Sequence, residues 1–437
     1  MNNTEISEKI LRRDPSLFFG DTAKTFIGWM DHPTKYAGMY LQNLDALRPK
    51  RHARTILLGM GGSSSPALFY NEHRPSSQVV VLDTSNPDTL ASTDFTNAQV
   101  IAASKSGGTA ETRTALDYAL ANGLAFEDLV VITDEGSSLM DFANENGVIW
   151  FQGDTTAGGR FSALSPFGLL PALYAGYSVE ELEALLAQNV ITQELITDAL
   201  LTVEEILTGS DGIAVFMQLP NDPIKSGGSL WLEQLVAETT GKDSRGVIPL
   251  AGTSDVAIEL SRIMHWQLVA SLLATRMGVD PFNQPDVEFA KKNVSVLLEN
   301  KVTAGDPAYD MEAVRASLSA AQYITLQVYA PLGDGEELRA LRDGFSKNFA
   351  PTTANLGPRY LHSTGQLHKG GPKGVVAVQF LVRPTSAPVQ VPGRSYTFHE
   401  LHAAQATGDL QAVRDAGRTA WQFVVNDLAD AGQLFGL

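Results

Sequence analysis

Two stretches of the chain set glycines beside hydroxyl side chains, a combination that can wrap an anion. The first is Gly59-Met60-Gly61-Gly62-Ser63-Ser64-Ser65, and the second is Ser104-Lys105-Ser106-Gly107-Gly108-Thr109-Ala110-Glu111-Thr112. Glycines let the main chain approach a ligand, and amides at a helix start carry partial positive charge. The second stretch therefore suits a phosphate monoester, with Ser104, Ser106, Thr109 and Thr112 as further donors. The first is neither a Walker loop nor a dinucleotide fingerprint, because no Gly-Lys-Ser/Thr follows and the glycine spacing is unmet. A plain tight turn, or capping of a helix by Thr109 with Thr112, is the alternative reading.

Acid–base and electrophilic chemistry has four candidate sources. Arg160, in Gly158-Gly159-Arg160-Phe161-Ser162, offers a guanidinium to a developing oxyanion, or else bridges domains. Leu230 to Lys242 reads as a helix with apolar positions 231, 232, 235 and 236 and a glycine stop. Helical spacing puts Glu238 on the edge of its apolar stripe and points Glu233 outward. Apolar neighbours raise a carboxylate's pKa toward neutrality, which suits a general base at carbon; the alternative is a pair between Glu238 and Lys242. Asp280 to Lys292 is a Pro-bounded turn with Pro285 at the first position of a helix, and its Lys291 is either a site lysine or a solvated one. Leu361 to Pro372 holds His362 and His368 among glycines and hydroxyls, where histidine can shuttle protons near neutral pH. Their six-residue separation and the absence of cysteine make a metal site unexpected.

These clusters must be positioned by strands and helices. Thr55 to Gly59, Val79 to Asp83, Val100 to Ala103 and Leu129 to Thr133 are short apolar runs that read as buried parallel strands, with helical segments such as Thr109 to Gly123 between them. Ile213 to Leu219, Tyr323 to Ala330 and Val375 to Val382 repeat the pattern, so a second α/β unit, a structural duplicate of the first, is expected. Thr397 to Asn426 reads as packed helices interrupted at Gly408. The uncharged run from Phe161 to Val179 is long enough for a membrane span, but Pro166 and Pro171 make it a buried core helix.

Composition sets the frame for these motifs. The 437 residues are 44% hydrophobic and carry a net charge of −17, which disfavours nucleic acid and anionic lipid as partners. With no cysteine and no apolar leader in the first residues, a cytoplasmic protein is expected.

In their order along the chain, GMGGS, SKSGGTAET, GGRFS, EQLVAETTGK and DPFNQPDVEFAK resemble the motifs of the glucose-6-phosphate isomerase family, over roughly Thr55 to Lys292. GPRYLHSTGQLHKGGP and the segment from Tyr396 to Arg414 are similar to the isomerase half of transaldolase/glucose-6-phosphate isomerase fusion proteins.

The resemblance implies two doubly wound parallel-sheet, flavodoxin-like sugar-isomerase domains with C-terminal helices. The expected divisions are a helical segment at 1–44, domains at 45–175 and 176–395, and a helical segment at 396–437. It implies interconversion of glucose 6-phosphate and fructose 6-phosphate through an enediolate. Ser104, Ser106, Thr109 and Thr112 would hold the phosphate, with Gly62 and Ser63 lining the neighbouring loop. Arg160 would stabilise the enediolate, Glu238 would move the proton between C2 and C1, and Gln284 and Lys291 would sit near the phosphate or ring oxygen. His362 or His368 would open the ring, in place of His265 on an apolar helix face. No metal or other cofactor is expected, and the partner state implied is a homodimer acting on a small sugar phosphate. Another 6-anionic hexose, such as mannose 6-phosphate or a 6-sulfonated sugar, or a non-catalytic sugar-phosphate sensor, is the alternative.

Overall fold

A computed structural model describes residues 1–286, 297–298, 308–333 and 335–437. Its first sheet is built from β1 (Thr55–Gly59), β2 (Val79–Leu82), β3 (Gln99–Ala103), β4 (Leu129–Thr133) and β5 (Ile149–Gln152), in the order β2-β1-β3-β4-β5. All its pairings are parallel. Every residue of β1, β3 and β4 is buried, as the continuous apolar runs require of strands covered by helices on both faces.

A parallel pair follows, β6 (Ala214–Gln218) with β7 (Gly246–Leu250). The second sheet contains β8 (Tyr323–Tyr329), β9 (Thr352–Leu356), β10 (Val375–Val382) and β11 (Thr419–Val425), in the order β11-β10-β8-β9. Read from β9, the order 9-8-10-11 repeats the 2-1-3-4 of the first sheet. The chain is thus an α/β protein with two doubly wound parallel sheets.

Four segments depart from the sequence reading. β5 and β9 carry exposed or polar residues that mask them, and β7 is a short run interrupted by Pro249. Residues 419–425 form strand β11 against β10 instead of continuing a helix. The helix before it, Phe398–Asp415, passes through Gly408 unbroken and begins with a capping box between Thr397 and Glu400. Pro285 is at the edge of the described residues, and Lys291 lies outside them.

The run from Phe161 to Val179 contains the helix Pro166–Tyr174, whose first eight residues are buried in the largest apolar cluster. Among the described residues no helix is long and apolar enough to cross a membrane.

The helix Gly227–Thr240 lies between the two halves. Trp231 stacks on Phe69 with ring centroids 5.1 Å apart, and Glu233 reaches the second sheet, accepting from Asn355 Nδ2 at 2.7 Å. Glu233 is therefore not outward: it is 1% exposed, and burial pushes its carboxyl up to about 8. The helical wheel identified its face correctly, but a second layer covers that face.

Four histidines, His32, His265, His368 and His402, are also fully buried, and burial lowers the pKa of each below 6.5. Between pH 6.5 and the folded-state values, about 4 for His265 and about 3 for His368 and His402, the unfolded chain binds protons that the folded chain refuses. Glu233 acts in the opposite sense above its unfolded value of 4.5. At pH 5.5 unfolding should therefore take up about two protons net from His265, His368, His402 and Glu233, with His32 adding in the same sense, so stability falls as the pH drops below 6.5. Proton uptake during urea unfolding, measured with an indicator dye, checks this; net release would contradict it.

Candidate active site

At the C-terminal ends of β1 and β3, where the strand order of the first sheet reverses, the two glycine–hydroxyl loops open onto a cavity of about 610 Å³. A doubly wound sheet places ligands at this point because adjacent strand ends send their connections to opposite faces and leave a crevice. Gly62 and Ser63 line the cavity from the first loop, and Lys105, Ser106 and Thr109 line it from the second. A Cβ at Gly62 would meet the Gly159 carbonyl oxygen at 2.1 Å, so its glycine lets the Arg160 loop lie directly against the first loop. Ser162 Oγ fastens the contact by donating to the Gly62 carbonyl at 2.7 Å.

The second loop turns through Gly107 at φ +69° and enters the helix Ala110–Ala121. Thr109 is the N-cap residue, but its side chain makes no capping bond. Its hydroxyl instead pairs with Ser104 Oγ at 3.0 Å. Capping does not account for these hydroxyls, and the helix start faces the cavity. Of the four residues expected to hold an anion, Ser106 and Thr109 reach the cavity wall. Ser104 lies buried beneath the turn, while Thr112 is buried with its hydroxyl unpartnered and does not line the cavity. Sequence spacing had missed Lys105 as a cation on this wall. It pairs with Asp134, whose carboxyl burial raises.

Arg160 forms the opposite wall and is 3% exposed. Its Nε donates to Thr239 Oγ1 at 3.1 Å and its Nη1 to Glu238 Oε1 at 2.9 Å and Gln284 Oε1 at 3.3 Å. Its Nη2 donates to the carbonyls of Pro281 at 2.6 Å and Asn283 at 3.1 Å. Glu238 faces the cavity with a guanidinium beside it, so neither apolar neighbours alone nor Lys242 set its surroundings. Lys242 is buried and donates to the Asp280 carbonyl. Burial, reinforced by the nearby Arg160 charge, holds its ammonium well below the usual lysine range.

Gln234, one turn before Glu238 on the same helix face, donates to Glu238 Oε2 at 3.1 Å and to the His362 carbonyl at 3.0 Å. Ser65 Oγ fixes that amide by donating to its oxygen at 2.7 Å. The i, i+4 spacing of Gln234 and Glu238 was a legible signal for this contact.

The structure separates the three histidines. His362 lines the cavity, and its Nε2 lies 2.9 Å from Glu111 Oε1. Glu111 follows directly from the second loop in the first helical turn, and its role was missed because its partner is 251 residues away. His368 is buried behind the loop between Thr325 Oγ1 at 2.9 Å and Gln327 Nε2 at 3.1 Å, and burial lowers it to about 3. It does not line the cavity, although six residues separate it from His362, because the intervening turn enters the helix Gly365–Gly370 that points it inward. His265 lies by Asp198 and Thr202 against another cavity.

A second sizeable cavity, about 710 Å³, lies between Lys225, Asn355 and Arg359, but Arg359 is engaged by Asp83 in two bonds of 2.7 and 2.8 Å. Among the described residues no cluster of three or more His, Asp or Glu side chains could hold a metal ion.

No family model matches the chain. It is 27% identical over 267 residues to a glucose-6-phosphate isomerase of Exiguobacterium sibiricum, covering 52% of this chain and 58% of that protein. It is 25% identical over 290 residues to one from Parabacteroides distasonis, covering 55% and 61%. A glucose-6-phosphate isomerase of Cyanothece is 30% identical over 277 residues, covering 57% and 52%. The chain thus spans about half to three fifths of the length of these relatives.

Among solved structures, a hypothetical protein of Thermus thermophilus matches with a TM-score of 0.45 and 21% identity, covering 99% of this chain and 86% of that one. A glucosamine-6-phosphate deaminase of Thermotoga maritima matches with a TM-score of 0.37 and 14% identity, covering 92% and 99%.

Removing the Arg160 charge leaves Glu238 and two carbonyls without their buried partner. Arg160→Met should therefore cost about 3–5 kcal/mol. Comparison of urea unfolding curves checks it; a loss within about 0.5 kcal/mol would show that these bonds are dispensable.

Proposed function

We propose that the chain is an aldose–ketose isomerase of a 6-phosphorylated hexose, interconverting glucose 6-phosphate and fructose 6-phosphate. The observation carrying this reading is a single cavity that holds an anion loop, a carboxylate paired to an arginine, and a histidine paired to a carboxylate. The matched glucose-6-phosphate isomerases support it.

In this reading the sugar phosphate sits against Ser106, Thr109, Lys105 and the amides at the start of the helix Ala110–Ala121, with Gly62 and Ser63 beside it. Anchoring the remote phosphate holds the reacting carbons against Glu238. His362 moves a proton between the C1 hydroxyl and the ring oxygen, which opens the ring. Glu238 then takes the C2 proton, the electron pair forms the enediolate, the hydroxyl proton passes from the C2 oxygen to the C1 oxygen, and the same carboxyl returns its proton to C1. Arg160, adjoining Glu238, stabilises negative charge on the enediolate oxygens, and Gln284 extends that wall. Lys291 remains a proposal from the resemblance alone, near the phosphate or the ring oxygen.

One observation favours keeping other 6-anionic hexoses as a second reading. The position of a Cβ on Gly108 has nothing within 4 Å, so no side chain closes the proposed anion loop at that point. The base and the enediolate are the same for mannose 6-phosphate. A sugar-phosphate sensor, by contrast, has no use for a carboxylate and an arginine paired at the reacting carbons.

Glu238→Gln should bind substrate but turn over about two to four orders of magnitude more slowly, because a carboxamide cannot accept the C2 proton. A coupled assay on fructose 6-phosphate measures this, and near wild-type kcat would remove Glu238 from the role. In the same assay Ser106→Ala or Thr109→Ala should mainly raise KM, each by roughly ten- to hundredfold for a bond to a charged group of about 1.5–3 kcal/mol. Unchanged KM in both would move the anion elsewhere.

A further inference from the structure

The buried face of the helix Phe398–Asp415 carries three polar side chains, His402, Gln405 and Asp409, at successive turns. Helices of this kind are held by apolar packing, so a polar stripe in the interior needs partners that use it.

Gln405 Nε2 lies 2.7 Å from Glu111 Oε1, the same oxygen that meets His362 Nε2 at 2.9 Å. Gln405 Oε1 lies 2.5 Å from Ser85 Oγ, and Ser85 Oγ lies 3.0 Å from His402 Nδ1.

Hydrogen-bond valence fixes the direction of every link. Gln405 donates an amide N–H to Glu111 and turns its oxygen toward Ser85, which donates to it. Ser85 then spends its single proton on Gln405 and can only accept from His402, which must carry its proton on Nδ1. Burial holds His402 neutral by lowering it to about 3, consistent with that one-proton state. The remaining nitrogen, Nε2, is the acceptor side of the ring and is buried without a partner. A chain with one consistent direction has no alternative arrangement to exchange with, so the Gln405 amide cannot flip.

We infer that Gln405 is a positioning residue for the proton-transfer step. It holds the Glu111 carboxylate in the orientation that keeps the proton of His362 on Nε2 and presents the Nδ1 side of the ring to the cavity. The inference rests on the isomerase reading for its kinetic consequence, but not for its structural one. Gln405 touches neither the cavity nor a reacting atom.

The same helix secures the loop on either side of His362. Asp409 Oδ2 accepts from Tyr360 OH at 2.8 Å and Oδ1 from Lys369 Nζ at 2.6 Å. The loop backbone and the ring orientation are thus set by one helix.

The test uses the full chain and Gln405→Leu, which keeps similar bulk and removes the donor. Turnover of cyclic glucose 6-phosphate should fall about 10- to 100-fold with KM within about twofold, while C2 proton exchange in an open-chain aldose analogue stays within about twofold. Glu111→Gln should show the same split, and the double variant should be no slower than Glu111→Gln alone, because Gln405 acts through Glu111. Equal losses on both substrates, additive losses, or unchanged turnover would overturn the inference.

Nitrogen-15 shifts of the His362 ring give a readout that does not depend on activity. The wild type should show the Nε2–H tautomer and Gln405→Leu a mixture, and an unchanged tautomer would overturn the inference. Should Gln405→Leu not fold, Ser85→Ala removes the preceding donor with little change in volume and is read in the same two ways. A wild-type protein inactive on every 6-anionic hexose would overturn the isomerase reading alone, leaving the tautomer result to decide the role of Gln405.

Discussion

A guanidinium taken out of water must have its charge and its donors satisfied, and Arg160 meets that demand with groups from two distant parts of the chain. Its five hydrogen bonds reach Glu238 and Thr239 on the central helix and Pro281, Asn283 and Gln284 in the Pro-bounded turn. Arg160 itself follows a glycine pair pressed against the first-strand loop, so the glycine–hydroxyl side and the Glu238 side of the cavity are assembled on one cation. A lysine could not do this, since a single ammonium lacks the planar fork that addresses a carboxylate, an amide and two carbonyls together.

The rest of the architecture serves to bring strand ends and helix starts to that cation. The first sheet offers the loops after β1 and β3 at its switch point. The second sheet repeats the strand order, yet its corresponding loop after β10 is engaged differently. The amides of Thr385 and Ser386 there each donate at 2.8 Å to Asp88, a carboxylate of the first half, which is thereby held below the usual carboxylate range. The duplicated topology therefore yields one glycine–hydroxyl loop open to the cavity and one loop used to join the halves.

The second half contributes through buried polarity instead. Gln327, Gln379 and Gln422 stand in register across β8, β10 and β11, with Gln422 Nε2 donating to Gln379 Oε1 at 2.6 Å. Gln379 also donates to Tyr360 OH at 3.2 Å, and Lys369 pairs with Asp409 with almost no exposure. Such a network is costly unless fully satisfied, so it admits few alternative arrangements and holds the His362 loop in one.

Much was legible in the sequence because it is local. Uninterrupted apolar runs such as Thr55 to Gly59 identify buried parallel strands, and glycine and hydroxyl clusters just beyond them identify loops at strand ends. Arg160, Glu238, Gln284, Ser106, Thr109, Gly62, Ser63 and His362 were all named from such clusters, and the fold brings them to one cavity. Other features depend on what packs against a residue, which no local pattern encodes. Glu233 looked solvated until the second sheet covered it, and β11 looked helical because its pairing partner β10 lies well upstream. His362 and His368 have equivalent chemistry and nearly equivalent positions in the chain. One meets Glu111 at the cavity and the other is enclosed by Thr325 and Gln327, a distinction set by the turn between them and the sheet beneath it. Sequence thus determined which groups were available and on which kinds of element, while tertiary packing decided their exposure, partners and charge, because burial and hydrogen-bond pairing are made between segments hundreds of residues apart.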